Sequence, residues 1–140
     1  MKTYIVDANI LFSALISNKS GYASLFSKNE ILTTDFLFIE LEKYHKTILK
    51  KSKLSEQDFF DFTVLLFKHI TVIPSLSLSK ICLEAAYKLC ENIDTKDILY
   101  IALTLQLPDS IFITRDIPLY NGLIEKGFDR VVLFHQVFES

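Results

Sequence analysis

The chain has 140 residues, of which half are hydrophobic and 23% are charged, a composition typical of a globular protein that buries a full core in one domain. The formal net charge of -2 argues against nucleic-acid binding through bulk positive charge, but it does not exclude contact with phosphates through bound metal ions. Cys82 and Cys90 match no metal motif and are too few for a disulfide scaffold, so we expect a reducing compartment.

The sequence also shows no sign of secretion or of membrane insertion. It begins Met-Lys-Thr and continues directly into a strand pattern, without the apolar region and cleavage site of a signal peptide. Charged residues interrupt every apolar run well before the ~18 residues that a membrane-spanning helix requires. We therefore expect one cytoplasmic domain over residues 1–140 with no membrane partner.

The hydrophobic period switches repeatedly between strand-like and helix-like patterns along the chain. In chain order, the predicted elements are a strand at 3–7, a helix at 8–17, a strand at 30–34, helices at 35–51 and 59–69, a strand at 70–74, helices at 78–92 and 95–107, a strand at 110–114, a helix at 118–127 and a strand at 130–134. Strands that alternate with helices predict a three-layer α/β fold, with a central parallel sheet of four to five strands and helices on both faces.

Local signals mark several of these boundaries. Ser55 opens "SEQD", a capping-box pattern, ahead of a phenylalanine-rich helix. Pro74 ends the third strand, Pro118 lies near the first turn of the last helix, and Gly127 is a suitable residue just beyond its end.

Four acids lie near the predicted carboxyl edge of the sheet. Asp7 follows the first strand, and Asp116 follows the fourth by two residues. Glu40 interrupts an apolar stretch early in the helix after the second strand, and Asp97 lies in the first turn of the helix at 95–107. The carboxyl ends of parallel strands meet at one edge, where open α/β sheets bind ligands.

A cluster of carboxylates raises the pKa of its members and requires a counter-charge. Mg²⁺ prefers carboxylate and water oxygens, and two such ions about 3.5–4 Å apart support phosphodiester hydrolysis. The pattern therefore favours metal-assisted chemistry over a Ser-His-Asp set or a zinc cluster.

Each acid also has a purely structural interpretation. Asp7 and Asp116 are suitable N-cap residues for the helices that follow them. Asp97 and its neighbour Asp94 would interact favourably with a helix N-terminus without any function, and this is the interpretation we favour for Asp94. Glu40 is harder to explain in this way, because burying an unpaired carboxylate among apolar residues is costly.

Three stretches together resemble a PIN domain: "YIVDANILFSALIS", "TDFLFIELEKY" and "DILYIALTLQLPDSIFITRDIPLYNGLIEKGF". The last is the most specific, with an acid, a helix containing small residues, a strand, Thr-x-Asp, and a helix that ends in Gly-Phe. The resemblance covers essentially the whole chain, although residues 50–92 carry no motif. It implies a Rossmann-like sheet and a ribonuclease that depends on Mg²⁺ or Mn²⁺.

The family's catalytic and metal-binding acids would fall on Asp7, Glu40, Asp97 and Asp116. The small size of the chain is typical of the toxins of toxin–antitoxin pairs, which implies an RNA substrate and an antitoxin protein as partners.

The resemblance also assigns supporting positions. Asn9 would support the metal site, and Thr114 would orient the last acid or a water molecule. Asp94 competes with Asp97 for the third position, where Asp97 is preferred because "ILYIALTL" follows it in the family's register. Arg115 would either contact the scissile phosphate or form a surface ion pair.

Two further patterns have competing interpretations. In the helix at 35–51 an apolar stripe lies at three- and four-residue steps, formed by Phe38, Leu41, His45 and Ile48. The basic stretch over 43–53 is interpreted as a solvated face opposite that stripe, with an RNA-backbone track as the alternative. Core packing is favoured over base stacking or a homodimer face for Phe59, Phe60, Phe62 and Phe67.

Two other functions compete with a nuclease. A non-catalytic PIN-like module would bind RNA or protein. Such a degenerate member is expected to have lost at least one of the four acids, whereas this chain keeps all four. Phosphotransfer through an aspartyl-phosphate on Asp7 requires a second acid where this chain has Asn9, so it ranks lower.

Overall fold

The computed structural model of the chain describes residues 1–93 and 95–138. In these residues, the strands are β1 (Thr3–Val6), β2 (Glu30–Thr34), β3 (Ile70–Ile73), β4 (Ser110–Thr114) and β5 (Val131–Leu133). The α-helices are α1 (Ala8–Ser17), α2 (Ser20–Lys28), α3 (Phe36–Ser52), α4 (Glu56–Phe67), α5 (Lys80–Cys90), α6 (Ile98–Gln106) and α7 (Ile117–Glu125). No helix of the described residues is long and apolar enough to cross a lipid bilayer.

The strands form one parallel sheet in the order β3-β2-β1-β4-β5. The chain proceeds outward from β1 through β2 to β3, and then returns to place β4 on the other side of β1. The strand order therefore reverses at β1, and the crevice outside the carboxyl ends of β1 and β4 is where such a sheet binds ligands.

Helices cover both faces of the sheet, as the alternation of patterns predicted. Along β1, Tyr4 and Val6 belong to one core cluster with side chains of α1, α2, α3 and α4. Ile5, which points to the other face of the pleat, belongs to a second cluster with side chains of α5, α6 and α7. The three-layer α/β prediction is confirmed.

Helix boundaries follow the local chemistry. The hydroxyls of Ser55 and Ser79 accept hydrogen bonds from the N–H groups of Asp58 and Cys82, each at 3.1 Å, at the starts of α4 and α5. Gly127, just after α7, has a φ of 88°, a left-handed conformation that favours glycine.

The prediction of the elements was incomplete between residues 17 and 30, where α2 lies. Its buried side chains include Tyr22, Leu25 and Phe26, at steps of three and one along the helix. The helix also contains Gly21 and three serines, which have weak helix propensity, so packing of its apolar side stabilises it.

The predicted stripe of α3 was wrong in part. Ile48 is buried and Leu41 partly buried, but Phe38 is 49% exposed and His45 is also exposed. The side of α3 that is buried instead contains Leu37 and faces α1.

The phenylalanines of α4 also differ in their burial. Phe59 is buried, and Phe62 and Phe67 pack against the core, as predicted. Phe60, however, is 62% exposed, so core packing was the wrong interpretation for this side chain.

Candidate active site

Asp7 lies at the junction of β1 and α1, where it is only 4% exposed. Its carboxylate caps α1, because the backbone N–H of Ile10 donates a hydrogen bond to Oδ1 at 3.0 Å. Burial raises the pKa of Asp7 from 3.8 to about 6, since desolvation outweighs the hydrogen bonds that stabilise the charged form. The nearby charge of Asp116 raises this pKa further.

Asp116 repeats the same local arrangement one strand away. Its Oδ1 accepts a hydrogen bond from the N–H of Leu119 at 3.0 Å, which caps α7. Thr114 is fully buried, and its hydroxyl oxygen accepts a hydrogen bond from the N–H of Asp116 at 3.0 Å. Because β1 pairs directly with β4, both capping acids lie at the same edge of the sheet.

Asp7, Glu40 and Asp97 line one cleft of about 340 Å³. Glu40 is a partly buried residue in the second turn of α3. Asp97 is 9% exposed and ends a single turn of 3-10 helix, Thr95–Asp97, directly before α6. It thus occupies the N-cap position of α6 rather than an interior position of the first turn.

The supporting residues have different surroundings. Asn9 is exposed in the first turn of α1 and lines the cleft. Arg115 donates a hydrogen bond to the Tyr22 hydroxyl at 3.2 Å, and its guanidinium lies 4.8 Å from the centre of the Phe134 ring. Asp94 lies outside the described residues.

Tyr100 also lines this cleft, although no motif in the sequence marks it. Burial raises the pKa of its hydroxyl, and the charges of Asp7, Glu40 and Asp97 raise it further. Its spacing of three residues from Asp97 is the one sequence signal, but an aromatic residue of the core at this position would give the same signal.

Lysines border the same cleft. Lys43 and Lys51 are exposed residues of α3 that contribute to its lining, together with Lys96. Part of the basic stretch therefore lies next to the acids, while Lys46 and Lys50 are exposed elsewhere on the helix.

The oxygen atoms of these acids suit a hard divalent cation, and desolvation of Asp7 shows that its negative charge is poorly compensated. In the described part of the chain, no group of three acidic, histidine or cysteine side chains is arranged to hold a metal ion. Mg²⁺ keeps several of its waters in proteins, so one or two direct carboxylate ligands are sufficient.

A second cavity, here called the apolar groove, lies on another side of α3 and measures about 550 Å³. Its lining is formed mainly by Leu41, His45, Leu49, Phe59 and Phe60, with Glu42 and Glu56 also in contact with it. Large apolar side chains that remain exposed often mark sites of protein interaction.

Comparisons with known proteins agree with this architecture. The sequence model of the PIN domain family matches residues 5–133. A solved structure with a similar fold is a chain of VapBC2 from Rickettsia felis, bound to a DNA fragment from the promoter. That chain has 16% sequence identity and a TM-score of 0.62, and the similarity covers 94% of this chain and 96% of that one. No protein with a curated description matches the sequence. The match to the family model extends over most of the chain, which therefore belongs to the PIN domain family.

Proposed function

We propose that this PIN domain is a metal-dependent endoribonuclease. PIN domains are generally nucleases, and the observation that carries the proposal is the convergence of Asp7, Glu40 and Asp97 on one cleft. Asp116 lies close enough to Asp7 to raise its pKa, so the proposed site consists of these four acids. Three of them come from separate helix starts that the parallel sheet brings together.

Mg²⁺ or Mn²⁺ is the proposed cofactor, with Asp7, Glu40, Asp97 and Asp116 holding it directly or through water. When bound, such an ion stabilises the charge that develops on oxygen atoms during phosphodiester hydrolysis. The chain holds two of these ligands in place by backbone hydrogen bonds, from Ile10 to Asp7 and from Leu119 to Asp116. Thr114 fixes the backbone at Asp116, which restricts the direction of that carboxylate.

The proposed substrate is single-stranded or loop RNA, because an open backbone can enter a cleft that a duplex cannot. Lys43 and Lys51 line the same cleft as the acids and would bind phosphates of the RNA, so part of the basic stretch would follow the RNA backbone. Asn9, which lines the cleft, would support the metal site from α1. Arg115, at the end of β4, would contact the scissile phosphate, for which it would have to leave the Tyr22 hydroxyl.

We also propose that the protein is the toxin of a toxin–antitoxin pair that acts in the cytoplasm. The similar structure belongs to a VapBC2 complex, and the apolar groove offers a surface for an antitoxin segment. Glu42 and Glu56 beside the groove favour a segment that carries basic residues among its apolar ones. Homodimerisation through the exposed side chain of Phe60 is the alternative use of this surface.

The test of the nuclease is the cleavage of labelled total RNA by purified wild type, with Mn²⁺ or Mg²⁺ and with excess EDTA. Asp97→Asn removes a cleft carboxylate, and Asp109→Asn is the matched control, because Asp109 is exposed before β4 at the opposite edge of the sheet. The proposal expects metal-dependent cleavage by wild type and Asp109→Asn and none by Asp97→Asn. Absence of cleavage by folded wild type at high enzyme concentration would favour a non-catalytic binding module instead.

The toxin assignment has a separate test, expression in a bacterial host. Wild type should arrest growth, Asp97→Asn should not, and co-expression of the product of a neighbouring small reading frame should restore growth. Growth arrest that persists in Asp97→Asn would show that toxicity does not arise from the cleft.

A further inference from the structure

Tyr100 is placed unusually for a tyrosine inside an apolar helix. The side chain is 2% exposed, and no group among the described residues meets the geometry of a hydrogen bond to its hydroxyl. The backbone N–H of Ala8 faces this oxygen closely enough to lower its pKa, but burial and three carboxylates raise it by more. The hydroxyl thus belongs to a residue that lines the same cleft as three carboxylates, and it bonds to none of them.

A buried hydroxyl without a partner is costly, and phenylalanine would fill the same space without that cost. The Tyr100 ring packs edge-on against Phe36 and is stacked with Phe112, contacts that a phenylalanine would keep. Packing therefore does not explain why residue 100 is a tyrosine and not a phenylalanine, whereas a role of the hydroxyl in the cleft does.

Asp7 and Tyr100 line the same cleft, and Asp7 is the carboxylate whose charge raises the pKa of the Tyr100 hydroxyl most. One oxygen of Asp7 already accepts the N–H of Ile10, so a second donor would fix the orientation of the whole group. Outer hydrogen bonds of this kind orient the ligands of metal sites and tune their affinity. The Tyr100 hydroxyl oxygen is itself buried from solvent, which excludes direct contact with RNA in this conformation.

We infer that Tyr100 is a positioning residue of the cleft, whose hydroxyl would donate a hydrogen bond to Asp7 in the metal-bound protein. The inference rests on the metal-dependent function proposed above. We therefore expect the Tyr100 hydroxyl to be needed for full metal affinity but not for folding.

The test is Tyr100→Phe, with Tyr87→Phe as the matched control, because Tyr87 is 54% exposed on α5. Calorimetric titration with Mn²⁺ should give a dissociation constant about 10-fold higher for Tyr100→Phe, at the lower end of the usual effect of such partners. The melting temperature in EDTA should be equal to or above that of wild type, because the variant removes an unpaired buried hydroxyl. Tyr87→Phe should match wild type in both measurements.

Unchanged Mn²⁺ affinity in Tyr100→Phe would overturn the inference, and a lower melting temperature with that affinity unchanged would assign the hydroxyl a structural role only. Cleavage of labelled RNA by the same protein preparations tests the nuclease proposal separately from the role of Tyr100. A wild type that binds Mn²⁺ but cleaves no RNA would refute the nuclease, while the affinity comparison would still decide the role of Tyr100. A wild type that binds no Mn²⁺ would overturn both.

Discussion

Helix α3 separates two regions with opposite chemistry. On one side, Glu40, Lys43 and Lys51 line the acidic cleft, and on another, Leu41 and Leu49 line the apolar groove. The helix can serve both regions because its middle is nearly all exposed, from residue 42 to residue 47. A helix that contributes little to the core is free to carry two surfaces, each with its own pattern of residues.

The two regions also differ in the kind of unfavourable group that they contain. The cleft holds a desolvated carboxylate, Asp7, and an unpaired hydroxyl, Tyr100. The groove leaves apolar area exposed, most of all at Phe60. Under the proposed function, each would be relieved by a different binding event, a cation in the cleft and a protein segment in the groove.

The largest expected effect is on the rate of RNA cleavage, which should depend on which side of α3 is substituted. Glu40→Gln should lower RNA cleavage by about 10²–10³-fold, the usual loss when one electrostatic group of a transition state is removed. Glu42→Gln, two residues away on the side of the groove, should leave the rate within about twofold, since Glu42 is an exposed residue that does not line the cleft. Equal losses in initial-rate assays of both variants would contradict the division.

The next effect is on stability and depends on pH. The pKa of Asp7 is about 6 in the folded protein and 3.8 in the unfolded chain, so the folded state binds the proton more tightly. The stability from this protonation is fully present below pH 3.8 and is lost as pH rises through about 6, by up to about 3 kcal/mol. Asp7→Asn keeps the helix cap without the charge, and in EDTA it should exceed wild type in stability at pH 7.5 but not near pH 4.

Denaturant unfolding between those pH values measures this difference, with Asp109→Asn as the exposed control. An Asp7→Asn protein less stable than wild type at pH 7.5 would show that the carboxylate contributes to the fold and is not held at a cost.

A smaller effect concerns the rim of the cleft. Replacing Lys43 and Lys51 together by Gln should raise KM for RNA by roughly 10-fold and flatten its salt dependence by about two charges, one for each lost phosphate contact. Lys46 and Lys50 lie on the same helix but do not line the cleft, so their double replacement is the control. Equal changes for both pairs, measured from 50 to 200 mM salt, would indicate attraction by overall charge only.

The smallest effect is expected in the groove of the isolated protein. Phe60→Ala should change the free energy of unfolding by no more than about 0.5 kcal/mol and leave cleavage unchanged, because the ring is 62% exposed. Phe59→Ala, one residue earlier in the same helix, removes a buried ring and should cost roughly 3–5 kcal/mol. A large loss for Phe60→Ala would mean that a second copy covers it, which the concentration dependence of unfolding would reveal.

The sequence predicted the layers of this fold better than the surfaces of its helices. Alternating patterns place β1, β2 and β4 correctly because buried parallel strands are short, continuous apolar runs. Periodicity cannot give the strand order, and it cannot say which neighbour covers a helix. For that reason Phe38 was placed in the apolar stripe of its helix and Phe60 was assigned to the core, although their side chains are 49% and 62% exposed.

The candidate site shows the same limit. Asp7 and Asp116 were predicted from their position after strands, and the structure shows both as N-caps of the following helices. Tyr100 could not be distinguished from a core aromatic, because only its burial beside three carboxylates shows where the hydroxyl ends.

The most direct test of the central claim is a crystal structure grown with Mn²⁺, with anomalous scattering used to locate the ion. We expect an anomalous peak from a Mn²⁺ ion in the cleft. Carboxylate oxygens of Asp7, Glu40, Asp97 and Asp116 should bind this ion directly or accept hydrogen bonds from its waters. Ordered carboxylates with no peak in the cleft, in crystals of protein that cleaves RNA with Mn²⁺, would contradict this expectation.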